Sequence, residues 1–179
     1  MVLSIADGDT VTVNEAGARL KVRLACIDAP ELSQTPYGQA SRQALQALLP
    51  LGSQVTLRIK ATDRYGRTVA ELLTGKNNRN ISNNSNNSNI SNNSNNSNNS
   101  NQNNINQYNI NKNNINQHNI NQQMIANGQA FVYWNFISAC DRERYARLET
   151  LARLKGLGVW AVPGGLERPW ELRSHSRQR

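Results

Sequence analysis

Between residues 77 and 122 the chain is built almost wholly from Asn, Ser, Gln and Ile, with Arg79 and Lys112 its only charges. Such a stretch has too little apolar surface to offset the entropy lost on ordering, so it is expected to be disordered. Ile105, Ile110, Ile115 and Ile120 recur every five residues. Four such units make only about one coil of a solenoid, too little to form a core, so the pattern reads as a slippage-type expansion. What remains must fold without it: one domain of about 130 residues, a usual size, assembled from residues 1–76 and 123–170, with 171–179 as a basic tail. Lengthening a connection tenfold adds only about 2 kcal/mol of closure entropy, so a domain interrupted in this way can still form.

The flanking halves carry clear periodicities. Val11 to Val13 and Leu20 to Ile27 are alternating or apolar runs joined across Asn14-Glu15-Ala16-Gly17, a hairpin pattern. Residues 38–49 place Ala40, Ala44, Leu45, Leu48 and Leu49 on one helical stripe that ends at Pro50 and Gly52. Strands are expected at Val55 to Lys60 and Thr68 to Leu73, and a short helix at Ile120 to Asn127 with Gly128 beyond its end. Phe131 to Trp134 is an aromatic run. Arg142 to Lys155 is an amphipathic helix expected to bury Tyr145, Leu148, Leu151 and Ala152 before Gly156 stops it. Strands first and helices after indicate an α+β domain whose β part is a small barrel.

The net charge of +8 and a pI near 10 favour a polyanionic partner such as nucleic acid. No apolar run is long enough to span a bilayer, and Met1 to Ile5 lacks the charge and length of a signal peptide. Cys26 and Cys140 form no CxxC pair, while His118 and His175 lie in the polar tract and the tail. Zinc needs clustered thiolate or imidazole ligands, so any metal here is oxygen-bound: calcium, magnesium or manganese. The two cysteines allow two readings, a disulfide that implies an oxidising compartment or a pair of inert buried thiols.

Three segments bear the chemistry. Asp7-Gly8-Asp9-Thr10 is by itself an ordinary turn, and it lacks the spaced acids of an EF-hand. In Asp28-Ala29-Pro30-Glu31 the proline stops a strand, so that two carboxylates and the Ala29 carbonyl can converge. Five residues before Asp28 stands Arg23, a guanidinium inside an apolar strand, where burial demands an anion; a structural ion pair with Glu31 would also explain it. Asp63-Arg64-Tyr65-Gly66-Arg67 reads as a tight turn between strands. The co-occurrence of all three at strand ends of one small domain points to a metal-dependent attack on a phosphodiester.

Together the DGDT, R-x(4)-D-x-P-E and D-x-Y-G-R elements resemble the staphylococcal nuclease family. The resemblance runs from Ile5 to about Trp160, with a tail through Gly164-Gly165 to Arg168-Pro169-Trp170 like that of bacterial members. It implies a five-stranded OB-type barrel with three α-helices, and calcium-dependent hydrolysis of DNA and RNA by a monomer. It further implies that Asp9, Asp28 and the Ala29 carbonyl hold calcium, with Asp7 behind them. Glu31 would position and deprotonate the attacking water, and Arg23 and Arg67 would clamp the scissile phosphate. Tyr65, Arg64 and Tyr133 would contact substrate. Ala29 stands where the family often has threonine, and the Leu32–Pro36 loop is short. Few residues precede the DGDT element, which implies either a short first strand or a start further upstream, with secretion or the cell envelope as the destination. The competing reading is a non-catalytic OB-type module that holds single strands on Tyr65, Phe131, Tyr133 and Trp134.

Overall fold

A computed structural model describes residues 1–75 and 117–176. The disorder expected for the polar tract therefore lies largely outside the described residues, as do Ile105, Ile110 and Ile115. Strands β1 (Val2–Ile5), β2 (Thr10–Glu15) and β3 (Ala18–Leu24) form an antiparallel meander. The β2–β3 turn carries positive φ at Ala16 and Gly17, 49° and 89°, the geometry that suits the twist of a two-residue hairpin. After the two-residue strand β4 (Ile27–Asp28) comes α1 (Tyr37–Leu48), then β5 (Thr56–Thr62) and β6 (Thr68–Gly75). The sheet order is β1-β2-β3-β6-β5, with β3 and β6 parallel and the other pairs on that path antiparallel. The chain re-enters as β7 (Gln117–Asn119), pairing with the end of β6, and continues into α2 (Ile120–Ala126). The remaining elements are β8 (Phe131–Val132), which pairs with β4, a 3₁₀ turn at Trp134–Ala139, α3 (Arg142–Leu154), a 3₁₀ turn at Gly158–Trp160 and α4 (Pro169–Ser176).

The architecture is α+β and OB-type, with more elements than the resemblance implies. The described residues contain eight strands, five of them on the path β1-β2-β3-β6-β5, and four α-helices. The added strands leave little trace in the sequence. Strands β4 and β8 are two residues each, β7 is the polar triplet Gln117-His118-Asn119, and α4 begins at Pro169 and runs on into the stretch 171–179 expected to be a basic tail. Residues 117–122, whose composition placed them in the polar tract, form β7 and the first turn of α2. Ile120 is fully buried there, and the buried Asn121 amide donates to Ala25 O (2.9 Å) and Ala70 O (3.1 Å) and accepts from Leu72 N (3.0 Å).

The core lies between the inner sheet face (Val11, Val13, Val22, Leu24, Ala70, Leu72) and the helices (Leu45, Leu49, Met124, Ile125, Tyr145). Each Val, Leu, Ile or Met among them contributes about 1.5–3 kcal/mol by leaving water. Two expected core positions are corrected. Ala40 is exposed because α1 turns Gly38, Ser41 and Leu45 inward. Leu151 is also exposed, because the contact stripe of α3 runs through Tyr145, Leu148 and Ala152 and Leu151 falls beside it. Cys26 and Cys140 are joined in a disulfide that ties the β3–β4 turn to the start of α3. A smaller cluster of Phe131, Ala152, Val159 and Trp160, with Leu166 and Trp170 against it, seats α4 next to β8.

Candidate active site

Register explains how the acidic loops meet. Thr10 lies opposite Arg23 in the β2–β3 ladder, so Asp9, one residue earlier, sits where β3 ends, and Leu24 N donates to Asp9 O at 2.8 Å. The chain reverses through Ala25-Cys26, where Cys26 takes φ 64°, and β4 returns Asp28 to the same place. Arg23 then reaches both acids: Nη1 contacts Asp9 Oδ1, and Nη2 lies 2.7 Å from Asp28 Oδ1. Asp9 is 4% exposed and Asp28 not at all. The other Asp9 oxygen accepts from Ala29 N at 2.8 Å, Thr10 Oγ1 donates to Oδ1 at 3.1 Å, and Asp7 Oδ1 accepts from Asp9 N at 3.0 Å. Arg23 therefore pairs with Asp9 and Asp28, not with Glu31.

Helix α1 backs this arrangement through glycine contacts. A Cβ at Gly8 would lie 2.0 Å from Ser41 Oγ, and one at Gly38 would lie 2.1 Å from the Glu31 carbonyl oxygen. Backbone meets backbone at Gly38, which fixes the loop carrying Glu31 against the helix. Gln34 closes that loop, accepting from Glu31 N at 2.9 Å.

The charges are unevenly balanced. Burial works to raise the Asp9 carboxyl, but the Arg23 guanidinium overcomes it and holds the group below the usual carboxylate range. Asp28 is raised: burial and the neighbouring Asp9 charge outweigh Arg23 and Arg173. Asp7 is raised by burial and then by Asp9. Of the three carboxyls, Asp28 alone is raised while facing two guanidinia, because its burial and the Asp9 charge exceed what they return. Among the described residues no three Asp, Glu, His or Cys side chains form a metal cage. The Asp9 and Asp28 carboxylates, brought together on Arg23, are oxygen donors of the kind that suits a hard divalent cation.

The other expected residues fall in three places. Glu31 is half-exposed and in contact with Arg173 of α4. Arg67 is not brought into contact with Arg23. It lies two residues before Val69, the parallel partner of Arg23, and its Nε is 2.7 Å from Asp63 Oδ2. Asp63 also accepts from Tyr65 N and Arg67 N, each at 2.9 Å. Burial acts to raise its carboxyl, and these donors from Arg67 and Tyr65 hold it low. Tyr65 is exposed on the same turn, with the Arg64 and Arg67 guanidinia 4.9 and 5.6 Å from its ring centre. Tyr133 follows β8 and stacks on Trp170, ring centres 5.1 Å apart and planes 12° from parallel.

Arg173 and Trp170 are the site residues that sequence reasoning missed. Their helix left a usable signal: Pro169 at its first turn with Glu171, then Arg173 and His175 in its last turn, the arrangement expected of a helix start and its dipole.

A family model for staphylococcal nuclease homologues matches residues 21–162. The chain is 31% identical to the protein ParB of Escherichia coli over 178 residues, which is 99% of this chain and 80% of that protein. It is also 31% identical to a micrococcal nuclease of Shigella flexneri over 176 residues, 98% of this chain and 80% of the relative. An uncharacterized endonuclease of Haemophilus influenzae is 46% identical over 81 residues, 45% of this chain and 44% of its own. Similarity that spans the acidic loops, the barrel and the helices together, on a fold whose register gathers those loops, means that the chain belongs to the staphylococcal nuclease family.

Proposed function

We propose that this nuclease hydrolyses the phosphodiester bonds of DNA and RNA with little sequence preference, in a calcium-dependent reaction centred on Asp9, Arg23, Asp28 and Glu31. The observation that supports it most is the single Arg23 guanidinium reaching two buried carboxylates from different loops. The micrococcal nuclease and endonuclease names of its relatives favour cleavage over a module that merely holds strands.

In this reading Asp9, Asp28 and the Ala29 carbonyl hold the cation, with Asp7 orienting the Asp9 backbone. The bound ion supplies Lewis acidity and offsets charge on the phosphate. Glu31, at the edge of the buried acids and half open to solvent, accepts a proton from the attacking water. Arg23, whose Nη1 and Nη2 face Asp9 and Asp28, must turn donors from those carboxylates to the phosphate. Arg67 must exchange Asp63 for a phosphate oxygen to complete the clamp, a swap of one anionic partner for another. Two-donor guanidinium contacts strengthen as charge grows on the transition state, and each is worth roughly a hundredfold in rate. Lysine at either position lacks the planar fork. Arg64, Tyr65 and Tyr133 engage the strand on either side, by charge and by stacking on bases.

The test is cleavage of plasmid and single-stranded DNA by the folded protein with calcium and then with chelator. Cleavage should stop on chelation. Glu31→Gln and Arg67→Ala should each keep DNA binding while losing about a hundredfold or more in turnover. Normal cutting by either variant would overturn its assigned role, and chelator-insensitive cutting would overturn the calcium reading.

A further inference from the structure

Helix α4 has no part in that chemistry, yet two of its side chains sit on the groups that carry it. Arg173 Nη2 lies 2.5 Å from Asp28 Oδ2, and Nη1 lies 3.4 Å from Asp28 Oδ1 and contacts Glu31 Oε1. Trp170, three residues earlier and so on a neighbouring part of the same helix face, lies flat on Tyr133. The helix is seated by Trp170 edge-on to Phe131, 6.2 Å between ring centres, with the Arg168 guanidinium over Phe131 and Trp160 at 4.1 and 4.7 Å.

Both oxygens of Asp28 are thereby taken. Oδ1 faces Arg23 and Arg173, and Oδ2 faces Arg173. A divalent cation on Asp28 and a guanidinium on the same oxygens repel each other and compete for the same lone pairs. The stack likewise covers a face of Tyr133 that a nucleobase would use. One short helix thus covers oxygens of Asp28 and a face of Tyr133 together. Its arginine is more than a third exposed, so on release it has water to return to at modest cost.

We propose that α4 is a latch. Arg173 is the internal counter-ion of Asp28 and Glu31 and leaves when a divalent cation binds, and Trp170 then uncovers Tyr133 for the substrate strand. The proposal rests on the cation reading above. A latch closed about 90% of the time weakens apparent cation affinity about tenfold.

The experiment compares the full-length protein with Arg173→Ala and Arg173→Gln, each shown to be folded by circular dichroism. Calcium binding is measured by calorimetry, and hydrogen–deuterium exchange is followed in the peptide spanning residues 169–176. Calcium should speed exchange in that peptide of the unaltered protein. The variants should bind calcium about tenfold more tightly, with the peptide exchanging fast at all calcium levels. Equal affinity in all three proteins, or an α4 that stays protected when calcium is bound, overturns the latch and leaves the cation site standing. Absence of calcium binding in every protein overturns the cation reading and the latch with it.

Discussion

Replacing Arg23 with alanine is the sharpest probe of how the acidic loops are held. The change leaves Asp9 and Asp28, 4% and 0% exposed, without the cation they share. Asp28 keeps Arg173, whereas Asp9 is left with only neutral donors, Ala29 N and Thr10 Oγ1. Removing one member of a buried ion pair costs about 3–5 kcal/mol, because the remaining charge stays desolvated. For the roughly 135 described residues the unfolding entropy is about 0.28 kcal/mol per kelvin, so the melting point should fall by about 11–18 °C at pH 7. The pH dependence carries a sign. With Arg23 present the native Asp9 carboxyl lies below its ordinary 3.8, so its contribution is complete above that pH and is lost as pH falls through the native value. Without Arg23, burial alone raises the group. The folded variant then binds protons more readily than its unfolded chain, and its stability climbs as pH drops from 7 towards the unfolded value near 4. The gap between variant and parent should therefore narrow between pH 7 and pH 5. Millimolar calcium should raise the variant's melting point more than the parent's, since a bound cation replaces the missing charge. Melts followed by circular dichroism decide it. A variant melting within about 3 °C of its parent at pH 7 would refute the claim that Arg23 neutralises a buried acid pair.

Two further outcomes follow from other parts of the molecule. The Cys26–Cys140 bond spans 114 residues, so the loop-entropy relation gives about 5 kcal/mol, or roughly 17 °C in melting point; reduction, or Cys26→Ala with Cys140→Ala, should show it, and a shift below about 4 °C would contradict that account. Burial works to raise the Glu71 carboxyl, but Lys60, Asn119 and Tyr145 hold it below 4.5, so its stabilisation is whole above that pH and is lost as pH falls through the native value. Tyr145→Phe removes one 3.0 Å bond to it and should cost about 2 kcal/mol at neutral pH while flattening the acid limb of an unfolding titration; an unchanged limb would mean that Tyr145 contributes nothing to that shift.

What could be seen in the sequence tracks how local its cause was. Asp9, Arg23 and Asp28 are legible because strand lengths and a single hairpin bring them together within twenty residues. Helix α3 was legible from its stripe and its flanking glycine, although Leu151 was misassigned by one step of that stripe. The pairing of Glu31 with Arg173 spans 142 residues, and a long-range ion pair leaves no periodicity to read. Arg67 shows the opposite difficulty. Its motif names it, but its nearest anion is Asp63, four residues away, and turn chemistry wins over convergence with Arg23. The start of the second half was hidden because Gln117-His118-Asn119 has no apolar pattern: it is held to β6 by backbone pairing and by the Asn119 amide donating to Glu71 at 2.7 Å, neither of which composition announces.

The interruption leaves the sheet at Gly75 and the chain returns at Gln117, and those two residues are direct antiparallel partners. Opposed residues in such a ladder lie about 5 Å apart, so the two ends of any joining segment are as close as those of a hairpin connection. That makes this edge a natural graft point. A foreign domain with adjacent termini, a fluorescent reporter or a second DNA-gripping module could be carried there, with the catalytic architecture feeling little more than a change of cargo.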